Sequence, residues 1–173
     1  MTTVRRAAGA ALALALLVAG CGVRPTGVLD GGEAAGGLTK GLRLYFVSTA
    51  GRLEAVGRPE VPVEELDNLH IVLKYLGAGP TEAELRSGLA TLVDGGVREI
   101  GADGDGVTLW LEEESLDTST ARGRNRVGQL VCSLARARAV SHGAGRKRTD
   151  DITVTVKPSR GRSGTFVCSD FLK

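Results

Sequence analysis

Residues 97–112 read VREIGADGDGVTLWLE. Asp103-Gly104-Asp105-Gly106 stands between two runs in which apolar and polar side chains alternate. Alternation with a period of two is the mark of a half-buried strand, and an Asp-Gly pair between two such runs is a strong hairpin signal. Strands are therefore predicted over Val97–Ala102 and Val107–Glu112, paired antiparallel.

Arg122–Val140 places Val127, Leu130, Val131 and Leu134 at three- and four-residue spacing, the period of a long helix with one apolar face. Cys132 falls off the centre of that face, beside the small residues Gly128, Ala135 and Ala139. Past this helix, Ile152, Val154 and Val156 alternate with threonines as a strand, and Phe166–Phe171 is expected to close the chain as another. Upstream, Leu42, Leu44 and Phe46 alternate, Ala50-Gly51 turns the chain, and Leu53–Arg58 returns, so 42–58 reads as a second hairpin. Pro62 opens a second long helix carrying Val63, Leu66, Leu69, Leu73 and Leu76 on one face, with Gly77 and Gly79 ending it before Pro80. Thr81-Glu82-Ala83-Glu84 is a capping box that starts a short helix ended by Gly88. Hairpins with two long helices predict an α+β domain: a mixed or antiparallel sheet of five or six strands, with both helices packed on one face.

The N-terminus has a different character. Arg5 and Arg6 precede the uncharged run AAGAALALALLV over 7–18, and then come Val18-Ala19-Gly20-Cys21. A positive start, a short apolar core and small residues before a cleavage point make a secretory signal peptide. The run is shorter than the roughly 20 apolar residues that a bilayer span needs. Val18–Cys21 resembles the bacterial lipobox, which implies cleavage before Cys21 and diacylglycerol on its thiol. Residues 1–20 are thus expected to be removed, and the product to be lipid-anchored on the extracytoplasmic face of the cell membrane. Residues 21–41, with seven glycines and Pro25, read as a tether; about twenty flexible residues reach on the order of 25 Å. The folded domain is expected over 42–173.

Removing the first twenty of 173 residues leaves 153, and Arg5 and Arg6 go with them, so the 22 basic residues become 20 and balance the 20 acidic ones. A nucleic-acid partner, which calls for a strongly basic face, is not expected. Lipidation of Cys21 leaves Cys132 and Cys168. An exported chain meets conditions in which disulfides persist, so these two are expected to pair; two buried free thiols are the alternative.

No catalytic, cofactor-binding or metal-ligating set is legible. His70 lies beside an apolar helix face and His142 at a helix end. Glu112, Glu113 and Glu114 on a strand end point to alternate faces rather than pairing for acid/base work. The 103–106 loop lacks the further ligands and distal Glu of a calcium loop. Basic groups at Arg122/Arg124/Arg126, Arg146-Lys147-Arg148 and Arg160/Arg162 would bind anionic lipid or wall polymer if they converged; otherwise they are solvated loops.

Leu42–Val47, His70–Thr81 (HIVLKYLGAGPT) and Gly88-Leu89-Ala90-Thr91 together resemble the GerMN, or sporulation and spore germination, domain. The resemblance covers about residues 42–157, with one residue more than the usual spacing before Gly79-Pro80-Thr81. It implies a non-catalytic α+β envelope domain acting as an interaction or assembly module, without cofactor, for an envelope protein partner. Related lipoproteins often carry a propeller-like region; this chain shows one copy of the domain, so roles tied to that region are not carried over. A lipoprotein that binds wall polymer or a small ligand is the alternative.

Overall fold

The computed structural model describes residues 41–114, 116–141 and 147–172; Cys21, its signal peptide and residues 22–40 lie outside them. Strands β1 (Leu42–Val47) and β2 (Leu53–Arg58) form an antiparallel hairpin with Val47 opposite Leu53. A 3-10 turn over Val63–Asp67 leads into helix α1 (His70–Ala78) and then α2 (Glu82–Arg86). Strands β3 (Val97–Asp103) and β4 (Gly106–Leu111) form the second hairpin, and helix α3 (Ala121–Ser141) follows. After a 3-10 turn over Thr149–Asp151 come β5 (Thr153–Lys157) and β6 (Gly164–Phe166). The class is α+β with six strands among the described residues, as expected. They make two sheets, however: β1-β2, and a mixed sheet in the order β3-β4-β5-β6. Only β4 and β5 run parallel, because α3 carries the chain between them.

Helix α3 is the centre of the domain. It spans 21 residues, roughly 30 Å at the α-helical rise. Every residue from Val127 to Ala135 is buried, so the helix is enclosed on all sides rather than along one stripe. Small residues allow this. A Cβ on Gly128 would lie 2.7 Å from the Leu53 side chain and 2.9 Å from the Phe171 ring. Two polar residues are enclosed with it, and each is satisfied. Gln129 Nε2 donates to Tyr45 O (2.9 Å), Ser133 Oγ accepts from Tyr45 N (3.0 Å), and Gln129 Oε1 accepts from Leu92 N (2.7 Å). The helix thus supplies the hydrogen bonds that Tyr45 on β1 would otherwise lack.

Two expectations are corrected. The helix predicted from Pro62 is broken at Asn68, whose backbone leaves the helical region (φ −87°, ψ 89°) and whose side-chain Oδ1 accepts from His70 N (3.2 Å). A short polar side chain that bonds nearby backbone competes with helix continuation. The break rotates the buried set to Leu66, Leu69, Val72 and Leu76; Leu73 is half-buried, and Val63 is 39 % exposed. The strand predicted over Phe166–Phe171 ends at Phe166, and Cys168–Asp170 forms a 3-10 turn closed by Asp170, which accepts from Val167 N (3.0 Å). The 97–112 hairpin turns on Gly104-Asp105, between the paired Asp103 and Gly106, with Gly104 in the left-handed region (φ 52°).

Cys132 and Cys168 are joined by a disulfide across 36 residues, with both cysteines buried. It ties the C-terminal turn to α3. In the chain-entropy picture a loop of this length contributes about 3–4 kcal/mol. Replacing both cysteines by alanine is expected to lower the unfolding free energy by about that amount, read from guanidinium denaturation curves.

A second tie is ionic. Arg58, 5 % exposed, donates through both Nη atoms to the two Glu84 carboxylate oxygens (2.7 Å each), and its guanidinium lies 5.5 Å from the Phe46 ring centre. The hydrogen bond from Arg58 chiefly holds the Glu84 carboxyl below its usual range, and the capping bonds to Thr81 add to this. A depressed carboxylate pKa gives stability that is complete above the ordinary glutamate range and is lost as pH falls through and below it. Glu84→Gln is expected to cost about 2–3 kcal/mol at pH 7, below the about 3–5 kcal/mol of fully buried pairs because Glu84 keeps some water contact. The difference from the parent protein should shrink as denaturation curves are taken from pH 6 towards pH 3.

Candidate functional site

The mixed sheet has one face against α3 and one face open. Along β4, Val107, Leu109 and Leu111 are buried, so Gly106, Thr108 and Trp110 face outward. Register places Asp103, Gly101 and Glu99 of β3 opposite them, and Thr153, Thr155 and Lys157 of β5 on the other side. The outer face therefore sets threonines, glycines and the charged Asp103, Glu99 and Lys157 around Trp110, the one tryptophan in the chain.

A shallow, open hollow of about 420 Å³ lies on this face, lined by Gly101, Ala102, Asp103, Gly106, Thr108 and Trp110. It exists because two outward positions, Gly101 and Gly106, carry no side chain. Trp110 leans across its strand partner's diagonal neighbour: a Cβ on Gly101 would meet the benzo edge of the indole at 3.5 Å, an ordinary contact. Lys157 Nζ lies 5.1 Å from the Trp110 ring centre, within cation–π range. The end of the hollow at the β3-β4 turn is held in place. Arg138 on α3 donates through Nε and Nη2 to Gly104 O (3.0 and 2.8 Å), Lys147 pairs with Asp105, and Thr153 N donates to Asp105 O (3.2 Å). A hollow with one aromatic wall, a hydroxyl and a carboxylate has the parts of a binding site: an apolar surface with a few polar groups that orient a ligand.

The residues singled out in sequence are dispersed. Cys21 and His142 lie outside the described residues. His70 is exposed at the start of α1. Glu113 pairs with Arg126 and Glu114 with Arg160, so the acidic run is a strand end with ionic partners. Arg124 donates to Asp170 O and lies 5.3 Å from the Phe171 ring centre. The described basic groups do not all converge. Arg126 and Arg160 meet around Glu113-Glu114 near the start of α3, whereas Lys147 and Arg148 follow its far end. Arg146 lies outside the described residues. No group of three or more His, Cys, Asp or Glu that could hold a metal ion occurs among the described residues.

Three titration shifts mark other parts of the domain. Asp117, before α3, accepts from the Thr120 and Ser119 hydroxyls (2.7 and 2.8 Å) and from both backbone amides, which lowers its carboxyl to about 2. Burial raises Tyr45, opposed by Arg136 and Arg43; burial, followed by the charge of Arg43, lowers Arg136. Both groups lie beside the start of the domain, where Arg136 Nε donates to Gly41 O (3.2 Å).

In comparisons with known proteins, no family model, no curated protein and no solved structure matches this chain.

Trp110 and Lys157 cover one another. Lys157→Ala is expected to increase acrylamide quenching of the single tryptophan while leaving the thermal midpoint within about 2 °C, since an exposed-face truncation changes stability little.

Proposed function

We propose that this chain is a membrane-anchored envelope lipoprotein whose folded domain is a non-catalytic, GerMN-like interaction module. In this reading residues 1–20 direct export, Cys21 carries the lipid, and residues 22–41 are the tether. The observation that carries it is the disulfide. Cys132 and Cys168 are used by one another, which leaves Cys21 alone, immediately after the small residues of the lipobox-like segment. A disulfide is a feature of oxidising compartments, in keeping with export. No helix among the described residues is long and apolar enough to cross a membrane, and lipid on Cys21 would supply attachment in another way. More than one acyl chain makes such attachment stable, at about 0.8 kcal/mol per buried CH₂.

The residues that carry the GerMN resemblance support a shared framework. Val47 and Ala90 exchange backbone hydrogen bonds (2.9 and 2.8 Å), and Thr91 Oγ1 donates to Leu76 O at the end of α1 (3.0 Å). Gly79 closes α1 with φ at 82°, and Thr81 caps α2. The quoted motifs are thus joined to one another. A second reading, a lipoprotein that binds wall polymer or a small ligand, is favoured by the Trp110 hollow.

Metabolic labelling with an alkyne palmitate analogue, followed by membrane fractionation, tests the anchor. The parent protein is expected to be labelled and sediment with membranes, and Cys21→Ser to be unlabelled and released. A Cys21→Ser protein that remains labelled and membrane-bound overturns the lipoprotein reading.

A further inference from the structure

We infer that the Trp110 hollow binds a neutral saccharide, one ring of which packs against the indole. This deepens the wall-polymer reading and rests on it only for the source of the ligand; the binding chemistry belongs to the domain itself.

Four observations point to a sugar. The positions Gly101 and Gly106 leave depth without adding apolar lining. Trp110 supplies an aromatic surface with a negative π-face, on which the weakly positive C–H groups of a pyranose pack. Thr108 lines the hollow with a hydroxyl that both donates and accepts, and Asp103 lines it with a carboxylate that accepts from ligand hydroxyls. The volume, about 420 Å³, falls within the roughly 300–1,000 Å³ of small-ligand sites, and its open mouth allows a polymer to continue beyond the ring that is held.

Charge narrows the class. The carboxylates on this face, Asp103 within the hollow and Glu99 opposite Trp110, disfavour a phosphate- or sulfate-bearing chain. The nearby cations are engaged: Lys157 over the indole, Lys147 with Asp105, and Arg138 with Gly104 O. Trp110 is the one aromatic residue in the lining, so a flat nucleobase has no second ring to complete a sandwich. A neutral polyol with an apolar ring face fits what remains.

Gly101 allows a clean test. It sits in β3 without a positive φ, and its first added carbon meets Trp110 at ordinary contact distance. Gly101→Val therefore fills the hollow while a β-branched residue suits the strand. The probe is the β-1,4-linked tetramer of N-acetylglucosamine, titrated into the full-length protein in a non-glycosidic detergent. Binding is followed by Trp110 fluorescence and by calorimetry. A saturable change with Kd on the order of 0.1–1 mM, an affinity of about 4–5.5 kcal/mol, is expected for so shallow a site. Gly101→Val and Thr108→Val should each weaken it at least tenfold with the thermal midpoint unchanged. No saturable change up to 10 mM, or equal binding by Gly101→Val, overturns the inference. Binding of dextran sulfate in preference to the tetramer, insensitive to Gly101→Val, also overturns it and moves polymer recognition to the arginine-bearing loops. The outcome is independent of palmitate labelling at Cys21, so a failed anchor and a failed sugar site give different results.

Discussion

The hydrogen bonds that Gln129 and Ser133 make inside the domain are the constraint on which the rest depends. An amide and a hydroxyl with no exposed surface cost free energy unless paired. Here they are paired with a strand that needs them: Tyr45 of β1 gives its N–H to Ser133 and its carbonyl to Gln129. The same amide holds Leu92, in the segment between α2 and β3. Because the two sheets share no strand, α3 provides the connection between them, and its polar residues fix where β1 lies along it. A one-residue slide would leave the buried Tyr45 and Gln129 and the half-buried Leu92 all unpaired. Apolar packing alone would tolerate such a slide far better.

Both hairpins were legible because alternation survives in a half-buried strand and Gly-rich turns interrupt it. The break at Asn68 was not, since Leu66, Leu69, Leu73 and Leu76 keep a helical spacing across it and only the local side-chain bond to His70 N distinguishes the two cases. The C-terminal strand failed for another reason. Cys168 is drawn to α3 by the disulfide, and Asp170 closes a turn that no period announces. Gln129 and Ser133 were hidden inside an otherwise amphipathic helix, and the Arg58–Glu84 pair joins residues 26 apart. The candidate site had one visible sign. In Val107-Thr108-Leu109-Trp110-Leu111 the large aromatic stands on the polar side of the alternation. The hollow beside it depended on strand register, which placed Gly101 across from Thr108.

The motifs behind the GerMN resemblance are structural in this chain. Gly79-Pro80-Thr81 ends one helix and caps the next; Glu84, the last member of the capping box, turns to Arg58 on β2; Ala90 and Thr91 tie the following segment to β1 and to α1. Residues so connected form one network. It positions an edge strand, two helix ends and an ion pair, and none of its members lines the Trp110 hollow. Framework and candidate site thus occupy separate parts of the domain.

That separation suits the tethered arrangement proposed above. Its closed side is stabilised by enclosed bonds: the disulfide at α3, the Arg58–Glu84 pair, and the Gln129 and Ser133 contacts to β1. The open sheet face carries threonines, glycines and one tryptophan, and little of the core rests on its outward side chains. A face free of structural duty can change its side chains without unfolding the protein. The Arg138 and Lys147 contacts hold the β3-β4 turn from behind, so the hollow is preformed and a ligand entering it orders few groups. Preformed sites lose less entropy on binding, and under the anchoring proposed above a tether would hold the hollow near a repetitive polymer and raise the local concentration of sites.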